Sequence, residues 1–330
     1  MLFRCAAVTA FLCSSGVLAQ TGDVRGVHDP CIIRQDSTYY VFSTGRGRGE
    51  SIQIRRSTDL RRWERIGVVF DDLPVWTREK VPRVRNLWAP DVAFLGGRYH
   101  LYYSVSSFGS NQSCIGLATN ATLDPAAENY EWVDQGPVIC TSPEARDNFN
   151  AIDPQIVLDE HGEPWMSLGS FWSGLQLVRL APETGKRHAT DTAIRPLATR
   201  PPPGAIEAPH IHRRDGWHYL FVSFDHCCRG VRSDYRIMVG RSKSLEGPYV
   251  DREGTPLLEG GGTLVLESDG HVRGPGHNAV LSDAGRDWLV HHFYDAGARG
   301  VPTLQIRPLT WDADGWPRAG EPVASAEGSR

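Results

Sequence analysis

The sequence predicts an all-β protein, a single-domain five-bladed β-propeller, on three observations. One pattern of turn and strand residues recurs five times along the chain, and few helical patterns separate the copies. The copies are about sixty residues long, which suits a blade of four short antiparallel strands. The 10 Trp, 10 Tyr and 11 Phe residues fit half-buried strands.

Each copy opens with an acidic or polar residue beside a proline or glycine, followed by an apolar run, a tight polar turn and an aromatic strand. The five openings are His28-Asp29-Pro30, Ala89-Pro90-Asp91, Ile152-Asp153-Pro154, Glu207-Ala208-Pro209 and Gly276-His277-Asn278. The predicted inner strands are 31–34, 92–95, 155–158, 210–212 and 279–281. The second strands are 39–42, 99–103, 164–168, 217–222 and 288–293, and the third 51–55, 114–118, 175–180, 237–240 and 303–306. A β-sandwich with chance turns is the alternative, but the match covers the whole repeat and not its turns alone.

Residues 1–19 are predicted to be a signal peptide, which leaves 20–330 as the propeller domain. Arg4 supplies the positive start, 6–18 a short apolar stretch, and Val17-Leu18-Ala19 a cleavage site before Gln20. The stretch is too short to span a bilayer comfortably, and a buried N-terminal helix is the alternative. We therefore expect a secreted or periplasmic monomer that does not contact the membrane after cleavage. The formal net charge of -4 argues against a nucleic-acid partner.

Five cysteines remain after the predicted cleavage: Cys31, Cys114, Cys140, Cys227 and Cys228. An exported protein can form disulfides, so Cys114 with Cys140 is one possible pair, and Cys227 with Cys228 is another. The sequence leaves this pairing open. The spacing matches no zinc site.

The repeat also predicts where a functional site lies. Residues at the starts of the innermost strands meet at one mouth of a propeller's central channel. Asp29, Asp91, Asp153, Glu207 and His277 occupy similar places in the five copies. Carboxylates gathered there shift one another's pKa values, as acid–base catalysis requires. Asp91 follows its proline instead of preceding it, so we interpret it as structural.

Six segments together resemble glycoside hydrolase family 43, and more narrowly its endo-α-1,5-L-arabinanases. They are VHDP at 27–30, LWAPDV at 87–92, NAIDPQ at 150–155, GSFWSG at 169–174, AIEAPH at 205–210 and GPGHN at 274–278. The resemblance covers 24 to about 318. It implies an inverting hydrolase of plant cell-wall arabinan or arabino-oligosaccharides. Asp29 matches the general base and Glu207 the general acid. Asp153 matches the carboxylate that, when ionised, modulates the pKa of the acid and orients it.

The same resemblance implies further site residues. His277 matches a histidine linked to a calcium ion that water molecules mostly hold. The implied substrate contacts are Gly109, Asn150, Ala151, Ile152, Ser170, Phe171 and Trp172, with Trp88 and Phe108 as stacking platforms for sugar rings. His210, Arg229 and Arg299 are weaker candidates for the cleft.

Three alternatives stay open. An exo-acting arabinanase, an arabinofuranosidase or a β-xylosidase of the same fold would share all three carboxylates. A non-catalytic sugar-binding propeller would be expected to lack one of them. A purely structural interaction propeller would not need an acidic trio at its channel mouth.

Overall fold

The chain forms five β-sheets, in which consecutive strands are antiparallel and are mostly joined by tight polar turns. The structure is a computed structural model that describes residues 20–144 and 148–322. The five sheets are the blades of a single-domain β-propeller, which confirms the predicted fold. The predicted signal peptide at 1–19 lies outside the described residues. Within them, no helix has the length and apolar character needed to cross a membrane.

The strands follow the chain blade by blade, from the channel outward. Blade 1 contains β2 (Cys31–Gln35), β3 (Thr38–Ser43), β4 (Gln53–Ser57) and β5 (Arg62–Val68), with β1 (Thr21–Gly22) parallel to β5 at its outer edge. A short helix α1 (Val75–Lys80) precedes blade 2, which contains β6 (Trp88–Leu95), β7 (Arg98–Val105), β8 (Ser113–Asn120) and β9 (Val133–Thr141).

Blades 3 to 5 repeat the four-stranded meander. Blade 3 contains β10 (Gln155–Leu158), β11 (Pro164–Leu168), β12 (Leu175–Arg179) and β13 (Arg195–Ala198). Blade 4 contains β14 (Ile206–Arg214), β15 (Trp217–Phe224), β16 (Arg236–Ser242) and β17 (Thr263–Leu266). Blade 5 contains β18 (Val272–Asp283), β19 (Arg286–Asp295), β20 (Val301–Trp311) and β21 (Pro317–Ala319). Short 3-10 turns lie at Gly230–Arg232, Leu257–Glu259 and Ala296–Ala298.

Each interface between neighbouring blades has its own apolar core. Because successive side chains of a strand point to opposite faces, one strand serves two interfaces. Tyr40 and Phe42 pack toward blade 2, whereas Tyr39 and Val41 pack toward blade 5. The other interfaces are built in the same way. The aromatic strands of the repeat are therefore the packing surfaces that hold the ring.

The segment 20–26 closes the ring between blades 5 and 1. Gly26 N donates to Pro302 O at 2.7 Å and Leu304 N donates to Val24 O at 2.9 Å. The Ile306 N–H is bound by the side-chain oxygen of Gln20 at 3.0 Å. The first and last blades are thus joined by hydrogen bonds.

The cysteine pairs left open by the sequence are both bonded. Cys114 and Cys140 lie opposite each other on β8 and β9 and form a disulfide. Cys227 and Cys228 form a disulfide between adjacent residues. Cys31 is a buried thiol.

Candidate active site

One residue with a positive φ angle lies at the same place in every blade, where the inner strand meets the channel mouth. These residues are Asp29 (52°), Ala89 (34°), Asp153 (57°), Ala208 (56°) and His277 (47°). A left-handed backbone costs a non-glycine residue roughly 1–3 kcal/mol and persists where surrounding contacts enforce it. Relative to this shared left-handed position, Glu207 lies one residue before Ala208, and Asp91 lies two residues after Ala89.

Hydrogen bonds between blades enforce these conformations. The backbone N–H of each left-handed residue donates to a side chain of the preceding blade. The pairs are Asp29 with His292 Nδ1 (3.1 Å), Ala89 with Thr44 Oγ1 (2.8 Å), Asp153 with Ser104 Oγ (2.9 Å), Ala208 with Asp153 Oδ2 (3.1 Å) and His277 with Ser223 Oγ (2.8 Å). The five blades are therefore linked into a ring directly beneath the carboxylates.

A cleft of about 840 Å³ opens over this ring, within the size range of small-molecule sites. It contains the three predicted catalytic carboxylates, His277 and all but one of the predicted substrate contacts. The predicted residues that line it are Asp29, Trp88, Phe108, Gly109, Asn150, Ile152, Asp153, Ser170, Phe171, Trp172, Glu207 and His277. Phe108 and Trp172 are exposed at the rim, where a flat aromatic face can stack on a sugar ring.

Ala151 is the exception among the predicted contacts. It is fully buried and packs in the apolar core between blades 2 and 3. Its backbone N–H donates to Thr141 Oγ1 at 3.1 Å. Ala151 thus does not line the cleft, and it holds its neighbours Asn150 and Ile152 in place.

Asp29 is held by two imidazoles and one hydroxyl. Its Oδ1 lies 2.8 Å from His28 Nδ1 and 3.1 Å from His277 Nδ1, and its Oδ2 accepts from Thr44 Oγ1 at 2.6 Å. Burial alone would raise the pKa of Asp29, but His28 and His277 hold it well below its usual value. The carboxylate stays ionised, as a proton acceptor must.

Glu207 is held by two hydroxyl groups. Ser170 Oγ donates to its Oε2 at 2.6 Å, and the buried Tyr235 hydroxyl donates to its Oε1. A hydroxyl can donate or accept, so both contacts can persist whether the carboxyl group is ionised or protonated. This setting suits a group that gives up and regains a proton.

The environment of Asp153 shifts its pKa. Burial raises its pKa well above the usual value; His277 opposes this shift, while Glu207 and Asp29 add to it. The resemblance implied an ionised Asp153, whereas this environment favours a bound proton. Burial is the main physical reason, and repulsion from the neighbouring Glu207 and Asp29 carboxyl groups adds to it.

His277 lies close to the three carboxyl groups of the cleft, which raise its pKa. Burial alone would lower its pKa, but Asp29, Asp153 and Glu207 raise it to about 9. The site therefore demands a positive charge, which a protonated imidazole or a bound cation can supply. Calcium takes oxygen ligands and His277 offers only a ring nitrogen, so a calcium ion here would be held almost entirely by water molecules.

The weaker candidates fall into two groups. Arg229 lines the cleft, but Arg299 and His210 do not. His210 Nε2 accepts from Val280 N at 3.0 Å, and burial lowers the pKa of His210 to about 3. Asp91 is half-buried and does not line the cleft, and its Oδ2 accepts from Ile156 N at 2.7 Å, which joins blades 2 and 3. This contact fits the structural interpretation of Asp91.

Sequence reasoning missed several residues of the cleft. Thr44, Tyr235 and the Cys227–Cys228 disulfide line it without having been assigned a place there. His28 stands inside the VHDP segment, and its position before Asp29 was the one available signal. Tyr235 precedes β16 in a loop, and nothing in the local pattern indicates that its hydroxyl reaches Glu207.

Residues 24–317 match the family described as "Glycosyl hydrolases family 43". This chain belongs to that family. Membership confirms the predicted resemblance and makes the protein a glycoside hydrolase.

Its relatives in family 43 include enzymes of two kinds. The chain is 41% identical to an extracellular endo-alpha-(1->5)-L-arabinanase of Bacillus subtilis, with 88% of this chain and 87% of the relative covered. It is equally identical, at 41%, to an extracellular exo-alpha-(1->5)-L-arabinofuranosidase of Cellvibrio japonicus, with 94% and 91% covered. The solved endo-arabinanase of Bacillus licheniformis superposes with a TM-score of 0.84 at 44% identity, covering 91% of this chain and 99% of that one.

Proposed function

We propose that this family 43 hydrolase cleaves internal α-1,5-L-arabinofuranosidic bonds of arabinan with inversion at the anomeric carbon. One observation carries the proposal. A carboxylate kept ionised by two imidazoles, Asp29, shares a cleft with a carboxyl group held by two hydroxyls, Glu207. Relatives that cover nearly the whole chain are named for α-1,5-L-arabinan chemistry.

In the proposed reaction Asp29 takes a proton from a water molecule that attacks the anomeric carbon. Glu207 gives its proton to the glycosidic oxygen as that bond breaks. Asp153 orients Ala208, the residue after the acid, through its hydrogen bond to the Ala208 N–H. A calcium ion bound at His277 would supply positive charge beside the carboxylates.

Endo action is the finer part of the proposal. The GSFWSG segment at 169–174, the CCRGV segment at 227–231 and the GPGHN segment at 274–278 favour it. The exo-acting relative is as similar as the endo-acting one, so identity alone does not decide between them.

The deciding experiment follows the products from debranched linear arabinan, resolved by size over time, with xylan and aryl glycosides as controls. An early ladder of arabino-oligosaccharides is expected. Monomer alone, or one fixed short product, would replace endo with exo action. No cleavage of any substrate would contradict the catalytic role and favour a sugar-binding propeller.

We also propose that the protein is secreted after cleavage before Gln20. Two relatives are named extracellular, and residues 1–19 have the composition of a signal peptide. N-terminal sequencing of protein recovered outside the cytoplasm of an expressing bacterium tests the cleavage site. Light scattering of that protein tests whether it is a monomer.

A further inference from the structure

A second cavity, of about 430 Å³, lies on blade 1 apart from the catalytic cleft. Its lining is almost entirely charged or polar: Asp23, Arg25, Arg46, Gly47, Glu50, Gln53, Arg55 and Arg65. Four arginines face two carboxylates in a protein whose net charge is -4. Positive charge is therefore concentrated here against the overall balance of the chain.

Both carboxylates of this cavity are already engaged. Glu50 Oε2 accepts from the backbone N–H groups of Arg46 (2.7 Å) and Gly47 (2.6 Å). Its Oε1 accepts from Arg65 Nη2 at 2.7 Å. Asp23 Oδ2 accepts from the Arg65 backbone N–H at 2.9 Å. Glu50 is thus the ionic partner of Arg65, and the four arginines outnumber the two carboxylates, so the cavity keeps a surplus of positive charge.

The remaining three arginines differ in burial. Arg55 is buried and donates to neutral oxygens of Asp23, Ser43 and Gln53. Arg25 and Arg46 are exposed, and in the described ranges neither guanidinium forms a salt bridge. Two free guanidinium groups beside one cavity match a planar carboxylate, which arginine binds with two parallel hydrogen bonds.

The cavity is held close to the catalytic cleft. Thr44 binds Asp29 inside the cleft, and Arg46, two residues later, lines the cavity. Two extended residues span at most about 7 Å. Backbone hydrogen bonds from Gly45 to Leu87 (3.0 Å) and from Gly49 to Arg85 (2.6 Å) fasten this loop to the segment before Trp88, which also lines the cleft.

We propose that this cavity binds the carboxylate of a uronic acid residue in an acidic polysaccharide whose neutral chain occupies the cleft. This inference rests on the proposed function for the neutral chain in the cleft, whereas the binding of a uronate by the arginines does not depend on it. A neutral arabinan chain carries no charge for Arg25 and Arg46 to meet. A uronate attached to that chain would carry a carboxylate for both arginines to bind.

The test measures binding of oligogalacturonate by calorimetry, without any cleavage. The double variant Arg25→Gln/Arg46→Gln is expected to lose at least tenfold in affinity, whereas turnover of neutral linear arabinan stays unchanged. Arg98→Gln is the matched control, because Arg98 follows the Gly96-Gly97 turn at the far end of blade 2 and is exposed. Its affinity should equal that of the wild type.

Three results would overturn the proposal: no binding by the wild type, full binding by the double variant, or an equal loss in Arg98→Gln. Equal competition by inorganic phosphate would reduce the cavity to a general anion site and would also overturn it. Absence of arabinan cleavage by the wild type would reject the proposed function alone, since oligogalacturonate binding is measured independently.

Discussion

The Nδ1 atom of His277 lies 3.1 Å from the Oδ1 atom of Asp29, a contact between the fifth blade and the first. It joins a histidine whose pKa, against the effect of burial, is raised to about 9 by the carboxyl groups of the cleft to the residue that acts as base in the proposed mechanism. Each of the two side chains favours the charged form of the other.

Replacing either carboxyl group of the proposed mechanism should abolish arabinan hydrolysis. General acid or base catalysis contributes about 10²- to 10⁴-fold, so Asp29→Asn and Glu207→Gln should each lower kcat by at least that much. An aryl arabinofuranoside with a good leaving group needs little protonation, so it should restore much of the rate of Glu207→Gln but not of Asp29→Asn. Circular dichroism should show that both variants are folded, so that a loss of activity reflects the missing group. Near-normal turnover of arabinan by either variant would show that the roles are wrongly assigned.

Tyr235→Phe should weaken catalysis while the protein still folds. The change removes the hydroxyl that donates to Glu207 Oε1 and keeps the buried ring. A hydrogen bond to a charged group contributes about 1.5–3 kcal/mol, so kcat should fall roughly 10- to 100-fold with little change in KM. Tyr219→Phe is the control, because that hydroxyl bonds Gly315 O in blade 5, away from the cleft. Equal effects of the two variants on kcat would contradict the positioning role of Tyr235.

Removing divalent metal should lower both the melting temperature and the activity, if calcium binds at His277. A ligand present at 100 times its Kd stabilises the folded state by about 2.7 kcal/mol. Chelation followed by calcium should therefore lower and then restore the melting temperature of the wild type. His277→Gln should respond to neither step. A metal analysis that finds no calcium, together with no effect of chelator, would exclude the ion.

Asp91 should make the folded state less stable as the pH rises. Burial raises its pKa from 3.8 to about 7, against hydrogen bonds from the backbone N–H groups of Ile156 and Val92. The folded state thus binds this proton more tightly than the unfolded state does, and the resulting stability is complete below pH 4 and lost as the pH rises through 7.

The size of this effect can be measured with Asp91→Asn. An amide keeps an oxygen to accept from Ile156 N and does not titrate. Urea titrations at pH 5 and pH 8 should show a decrease in unfolding free energy that is larger in the wild type than in the variant, by about 2.5 kcal/mol. Identical decreases would mean that Asp91 does not titrate in this range.

The Cys114–Cys140 disulfide should contribute measurably to stability. It crosslinks residues with a sequence separation of 26, and closing a loop of that size in the unfolded chain is worth about 3 kcal/mol. The double variant Cys114→Ala/Cys140→Ala should lose about this free energy of unfolding, measured by urea titration, and keep its activity. An unchanged unfolding free energy would show that the bridge contributes nothing.

The sequence was sufficient for the blades because strand alternation and turn chemistry are local signals. Gln155–Leu158 and Pro164–Leu168 of blade 3 begin and end where the pattern predicts. The prediction missed β1 and α1 for physical reasons. β1 is two residues long and depends on distant pairing with Arg62 and Trp63, and α1 has no side-chain cap at its start.

The site residues that the sequence predicted are those at equivalent positions in the five repeats. Asp29, Asp153 and His277 occupy the left-handed position of their blades, so repetition alone brought them together. Thr44 and Tyr235 contact the carboxylates from loops, where the chain's path between blades decides position. The raised pKa of Asp153 depends on burial and on neighbours from other blades, which no local pattern records.

The hydrogen bonds of segment 20–26 to blade 5 have a consequence for biosynthesis. Gln20 and Ile306 are 286 positions apart, so a ribosome makes one long before the other. The ring cannot be sealed until the fifth blade has been made, and contacts between such distant residues form slowly. Until then blade 1 exposes the apolar face that blade 5 covers, and a nascent chain in this state is open to aggregation or to a chaperone.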